Sequence, residues 1–419
     1  MCQPLIERIR KSQDAKALIE NFLSLGVLQS VNLILPIIVL PYLLRIYGKE
    51  GYGQVIFVAS LVNYFSALTD YSFKITGTRN VAKHRHSTPS LSYIYSEVTI
   101  VRGILCIVSL MIISLIVLIV PSFREYWYLY ALTAPVLVGY VLFPDWFFQG
   151  IEKMKFITYL NVGIKLFFTI SVFVFVKKKG DLWIYPLLNT LGYLLAGVAG
   201  QLLLLQKYNV RYYRMGRRRI KQSLKGNFPI FVTQFIPNLY NNTSTFLLGI
   251  FTTTALVGIY DAARKIVDVL AMVISVLERV LFPFVVRKPQ QFHKIASTLL
   301  ITGLLLSLLP IIFFPVISRF LGISSPDFFF LIVILSIGVF FYSCYVAYGT
   351  CYLIAQGCDR IVMNLSIITS VTGFVLSFPL IEVLGILGAA ITVTLSRGML
   401  GGGGYLLARK RRKGVENAL

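Results

Sequence analysis

Charge is scarce in this sequence. Only 14% of its 419 residues are Asp, Glu, Lys or Arg, against about a quarter in an ordinary soluble domain. Acidic residues are scarcer still, 17 against 40 basic ones. A chain so poor in charge cannot give a soluble body of this length a polar surface. Histidine occurs three times, at His84, His86 and His293, each between apolar blocks. Cysteine occurs five times, at Cys2, Cys106, Cys344, Cys351 and Cys358, with no Cys-x-x-Cys pair. The last three recur every seven residues and share one helical stripe. They read as small buried hydrophobes rather than a soft-metal site. No Gly-x-x-x-x-Gly-Lys-Ser/Thr loop occurs, which excludes ATP hydrolysis by that route. Residues 1–20 are polar and mixed in charge, without the apolar core of a cleavable signal. The first apolar segment is therefore expected to direct insertion itself.

What the chain has in abundance is apolar length. Hydrophobic residues make up 57%, mean hydropathy is +0.76, and stretch 104–120 contains neither charge nor proline. A bilayer-crossing helix takes about 20 such residues. Twelve spans are expected, near 20–44, 53–73, 96–120, 126–148, 157–176, 183–206, 227–251, 258–283, 295–318, 327–353, 361–383 and 385–408. The net charge of +23 is not the basic face of a nucleic-acid binder, because Lys and Arg concentrate between the apolar blocks. They gather in alternate connections, around Arg79–Arg85, Arg217–Arg219 and the tail 409–413, with 177–179 the one exception. The positive-inside rule then places both termini in the cytoplasm. The fold class is an all-α integral membrane protein.

The two halves show a repeat. Gln149-Gly150-Ile151-Glu152-Lys153 and Gln356-Gly357-Cys358-Asp359-Arg360 share the pattern Q-G-x-acid-base, and Gly53 has a counterpart in Gly258 at a similar offset. The expected division is an N-terminal six-helix bundle over 1–206, a basic linker over 207–226 and a C-terminal bundle over 227–419. Repeats of like orientation would be related by an axis along the membrane normal. Gly150 and Gly357 have two readings, a close helix approach or an ordinary C-cap.

The stretch from Arg45 through Gly48, Gly51, Tyr52 and Gly53 to Asp70 and Thr78-Arg79 resembles the first hairpin of the Wzx-type O-antigen and repeat-unit flippases. Pro144-Asp145-Trp146-Phe147-Phe148-Gln149-Gly150 resembles the end of their fourth span. Asn238, Tyr240, Leu248-Gly249 and Val257-Gly258-Ile259-Tyr260 through Lys265 resemble spans seven and eight. Ser72 departs from the pattern, which has glycine there. The resemblance implies two six-helix bundles around a central cavity, as in MATE-like exporters, in the inner membrane of a bacterium. It also implies an undecaprenyl-diphosphate-linked oligosaccharide as substrate, with a polymerase and glycosyltransferases as possible pathway partners.

Sugar hydroxyls and a diphosphate need a polar path through hydrocarbon, and arginine suits phosphate best. Ionisable residues within spans are the candidates. They are Arg102, Lys165, Arg264, Lys265 and Arg397, with Asp261, Asp268, Glu278 and Arg279 beside them. Asp261–Lys265 and Arg264–Asp268 are spaced to pair on one helix. Asn238 and Asn242 offer amides to sugar hydroxyls or to neighbouring helices. Asp70, Asp145 and Asp268 are candidates for ion coupling. No catalytic residue, metal site or cofactor is expected. A basic bias favours an anionic substrate over the cations of a MATE-like multidrug antiporter. A membrane polymerase or acyltransferase is the alternative from another class. It lacks a histidine outside the cytoplasmic loops and a long outer loop to shape a site.

Overall fold

The computed structural model describes the backbone of residues 13–416, and the side chains there apart from most of 13–33 and residues 233, 236–242, 283 and 413–416. In chain order the helices are α1 Gln13–Asp70, α2 Phe73–Lys83, α3 Thr88–Ile119, α4 Pro121–Arg124, α5 Trp127–Thr133, α6 Val136–Leu142, α7 Asp145–Gly150 and α8 Met154–Phe175. There follow α9 Ile184–Tyr208, α10 Arg217–Phe251, α11 Thr254–Arg287, α12 Phe292–Ile312, α13 Phe314–Leu321, α14 Pro326–Cys344 and α15 Asp359–Glu416. A π-helix, Tyr345–Ile354, continues α14. No strand occurs among the described residues.

Nine stretches among them are long and apolar enough to cross a bilayer. Two of these, Ile34–Lys83 and Asp359–Arg412, run 50 and 54 residues, enough for two crossings each. Gly48 at φ 72° and Gly385 at φ 55° break the helix inside them. Both angles lie in the left-handed region that glycine adopts without a Cβ clash. Where the sequence suggests one span over 126–148, the chain forms three short helices. Pro135 precedes the second and Pro144 the third, each removing a backbone donor from the ladder.

Along α8 the apolar side chains face outward and polar ones inward. On α8, Tyr159, Phe167, Ile170 and Val174 are each more than half exposed, while Thr158 and Thr169 are buried. Hydrocarbon is the solvent that suits such a surface.

Two compact units divide the chain, and the boundary is not a single cut. One comprises residues up to Tyr42 together with Leu61–Val232. Its core is aromatic. Trp146, Phe147 and Phe148 are almost wholly buried, and Tyr95 stacks on Trp146 with ring centroids 6.3 Å apart. The Pro144–Gly150 stretch that carries the family resemblance is thus the packing centre of this unit. Segment 209–216 is pinned to α3, with the Tyr213 N–H donating to Ser96 Oγ at 2.9 Å and the Arg211 N–H to Ser92 Oγ at 3.1 Å. Beyond it Arg219 pairs with Glu97 at 2.7 Å, and that hydrogen bond raises the guanidinium pKa above its ordinary value.

The second unit comprises Leu43–Ser60 and Thr233 onward. The middle of α1 therefore packs with helices from the other half of the sequence. Gly53 and Gly258, paired above by offset, touch each other. A Cβ on Gly53 would stand 1.6 Å from the Thr254 carbonyl oxygen, and one on Gly258 2.4 Å from that of Lys49. Only glycine permits this approach. Within the run Gly401–Gly404, Gly401 packs as closely, its absent Cβ 2.4 Å from the Phe341 carbonyl oxygen.

The Q-G-x-acid-base pair ends two helices with one geometry in different register. The Lys153 N–H reaches back to Phe148 O and the Cys358 N–H to Leu353 O, both at 2.9 Å. The left-handed residue before each is Glu152 in the first copy and Gly357 in the second, as a Schellman cap requires. The caps are offset by two positions of the motif. Gly150 is not the cap; its missing Cβ leaves room for Val81.

Candidate functional site

The charged residues inside the spans fall into clusters, one set in each unit. In the first unit α3 carries Arg102, which is buried. Its Nη2 lies 3.4 Å from Asp70 Oδ1 and donates to the Tyr140 carbonyl at 2.9 Å. Its Nε and Nη1 are buried with no hydrogen-bond partner among the described residues. One turn beyond Asp70, Lys74 pairs with Asp145 at 2.9 Å, and Asp145 also accepts the Trp146 N–H at 2.9 Å. Asp70 and Asp145 thus each balance one cation, and Arg102 has the acidic partner that its own helical turn lacks.

Lys165 is different. It stands at the midpoint of α8, Met154–Phe175, half-buried and without a carboxylate among the described residues. Thr158, Asn161, Lys165 and Thr169 follow the three- and four-residue steps of one helical face. That face is polar and turned away from the lipid-facing side chains of α8. Sequence reasoning picked out Lys165 alone. The signal for the rest was there, as polar residues at helical spacing inside an apolar span.

In the second unit both expected i, i+4 pairs form on α11, Lys265–Asp261 at 2.9 Å and Arg264–Asp268 at 3.2 Å. Each is extended by a residue from elsewhere. The Tyr52 hydroxyl donates to Asp261 Oδ2 and accepts from Lys265 Nζ, the latter at 2.6 Å. Arg397 of α15 reaches Asp268 Oδ1 at 3.1 Å, so one carboxylate serves two guanidiniums. Arg264 also lies 3.5 Å from Thr245 Oγ1. In the ion pairs among the described residues three cations, Arg264, Lys265 and Arg397, meet two carboxylates, Asp261 and Asp268. In a low-dielectric span a cluster with more cations than carboxylates suits an anion. The side chains of Asn238 and Asn242 lie outside the described residues, although α10 spans their backbone.

Residues 18–289 match the family described as polysaccharide biosynthesis protein. The chain belongs to that family. A relative named "Putative O-antigen transporter" from Escherichia coli strain K12 is 24% identical over 382 residues, covering 89% of this chain and 92% of the relative. One of the same name from Shigella dysenteriae is 27% identical, covering 59% and 62%. Among solved structures, the lipid II flippase MurJ in an inward closed conformation aligns over 94% of this chain and 87% of its own, at 14% identity and a TM-score of 0.66. A multidrug resistance MATE family transporter of the MOP superfamily, inward-facing, aligns over 91% and 98%, at 12% identity and 0.64. At these identities the structural likeness establishes the fold, which is that of the MATE and MurJ transporters. The resemblance drawn from the sequence motifs and the family membership agree.

Proposed function

We propose that this chain is a flippase that carries an undecaprenyl-diphosphate-linked oligosaccharide across the bacterial inner membrane, by alternating access, for export of an O-antigen or capsule-type polysaccharide. The observation that carries the proposal is the surplus of cations inside the spans. Arg264 and Arg397 share one carboxylate, and Lys165 has none at mid-helix among the described residues. A diphosphate brings negative charge to this cation-rich set, and arginine forks grip phosphate oxygens in pairs. Thr158, Asn161 and Thr169 present the hydroxyls and amide that sugar hydroxyls need. The names of the curated relatives support transport of O-antigen and speak against the polymerase and acyltransferase reading. A drug antiporter that exports cations would need the opposite charge balance.

In this proposal 1–206 and 227–419 act as the two bundles, joined through 207–226. Arg102, Lys165, Arg264, Lys265 and Arg397 serve the headgroup, with Asn238 and Asn242 beside them. Asp70, Asp145 and Asp268 are the carboxylates whose ion pairs would open during ion coupling. Polymerase and glycosyltransferases of the pathway supply and consume the substrate.

The deciding experiment is complementation. The gene is placed in a bacterium deleted for its own O-antigen flippase, and surface polysaccharide is measured beside resistance to cationic dyes. Restored polysaccharide without dye resistance is the expected result. Dye efflux without polysaccharide would establish the antiporter instead.

A further inference from the structure

A second polar site lies away from these clusters, at the end of the second unit where basic residues gather. There a pocket of about 350 Å³ is lined by Phe292, His293, Tyr348, Tyr405, Arg409 and Arg412. Tyr405, Arg409 and Arg412 follow one face of α15 in steps of four and three. The π-helix contributes Tyr348, whose ring meets Tyr405 edge-on with centroids 5.0 Å apart. Phe292, at the start of α12, packs on Tyr348 at 6.0 Å and on Tyr352 at 4.8 Å. The floor is therefore a cluster of rings packed edge-on and tilted. The polar groups of the lining are two guanidiniums, an imidazole and the hydroxyls of Tyr348 and Tyr405. No carboxylate pairs with Arg409 or Arg412 among the described residues. Arg287, Lys288 and Lys294 adjoin the same end in sequence.

We infer that this pocket binds the phosphodiester headgroup of an anionic membrane phospholipid in the cytoplasmic leaflet. Three observations select that ligand. The lining is cationic and has no carboxylate paired with it among the described residues, which calls for an anion. Its volume falls in the range of small-ligand sites, about 300–1,000 Å³. Next to the arginines, Leu406 is 62% and Tyr405 41% exposed, so acyl chains have an apolar wall directly below the charge. Basic pockets between helices at the cytoplasmic side are where acidic headgroups settle, and tyrosine suits the same boundary. Cytoplasmic sidedness follows from the basic tail 409–413. The pocket shares no lining residue with those assigned to the transported headgroup above, so its success or failure leaves that proposal untouched.

The test uses purified full-length protein in neutral detergent, titrated with dioleoyl-phosphatidylglycerol, dioleoyl-phosphatidylcholine or inorganic phosphate, and read by thermal unfolding and native mass spectrometry. Phosphatidylglycerol is expected to stabilise the protein and remain bound, while phosphatidylcholine and phosphate do neither. R409Q/R412Q should weaken phosphatidylglycerol binding roughly 30-fold, taking two basic contacts at the strength usual for an acidic membrane surface. R409K/R412K should keep most of it, which separates lost charge from misfolding. Equal effects of the two lipids, or an R409Q/R412Q protein that binds as before, would overturn the inference. An equally large loss in K410Q/R411Q would replace the pocket with a diffuse basic tail. Stabilisation by phosphate alone would replace the lipid with a free anion.

Discussion

Lys165 and Asp268 carry opposite risks. A lone lysine at mid-helix costs stability, and a functional role would account for that cost. Lys165→Met is expected to leave the protein in the membrane at equal or higher amount while removing surface polysaccharide. Lys165→Arg should keep part of the export, since charge persists while shape and hydration change. Quantitative immunoblotting of membranes beside polysaccharide staining reads both, and full export by Lys165→Met would end the role given to this residue. Asp268 instead neutralises. Asp268→Asn leaves Arg264 and Arg397 facing each other, and should cost about 1–2 kcal/mol, the loss of a buried pair reduced for an aspartate that is partly exposed. Arg397→Gln added to Asp268→Asn should recover part of the lost thermal stability. Strict additivity in that double-mutant cycle would show that the pair is not coupled. The i, i+4 pairs of α11 were legible in the sequence because helical geometry alone brings them together. The partners of Arg102 and Arg397 were not. Asp70 sits on a different helix from Arg102, and Asp268 is 129 residues from Arg397, so only tertiary packing joins them.

At the scale of elements, apolar length predicted the membrane helices well. What it missed was the division of 126–148 into short helices. The gaps it leaves between spans 20–44 and 53–73 and between 361–383 and 385–408 fall on or beside Gly48 and Gly385, where the two long helical runs break. The π-helix Tyr345–Ile354 has no signal in the sequence. Its composition matches the flanking α-helix, and only the i to i−5 hydrogen bonding differs. The repeat pairing of Gly53 with Gly258 proved informative in an unforeseen way, because the two residues form one contact. Gly53→Ala would drive a methyl group into the Thr254 carbonyl, and overpacking of this kind costs about 1–3 kcal/mol. The variant is expected to unfold several degrees earlier and to lose export. Gly103→Ala is the control, since a Cβ there meets nothing within 4 Å. Equal melting temperatures for Gly53→Ala and wild type would show that the helices part readily at this point.

For the whole molecule, charge distribution dictates orientation. Reporter fusions after Lys225 and at Leu419 should report cytoplasm, and one after Lys179 the outer side. An external signal at Leu419 would overturn the sidedness on which the lipid pocket also depends.

Chain order and contact order part company at Leu43–Ser60. Tyr52 and Asp261 are 209 residues apart in sequence, and ribosomes add about 5–20 residues per second. Roughly 10–40 s of translation therefore separate the emergence of this segment from that of its packing partner. During that interval Tyr52, Gly53 and Phe57 sit in the bilayer beside lipid or another protein. A C-terminal fragment beginning at residue 217 would insert without the segment that completes its unit. Co-expression with fragment 1–216 should rescue its yield, and a 1–216 fragment bearing Gly53→Ala should not.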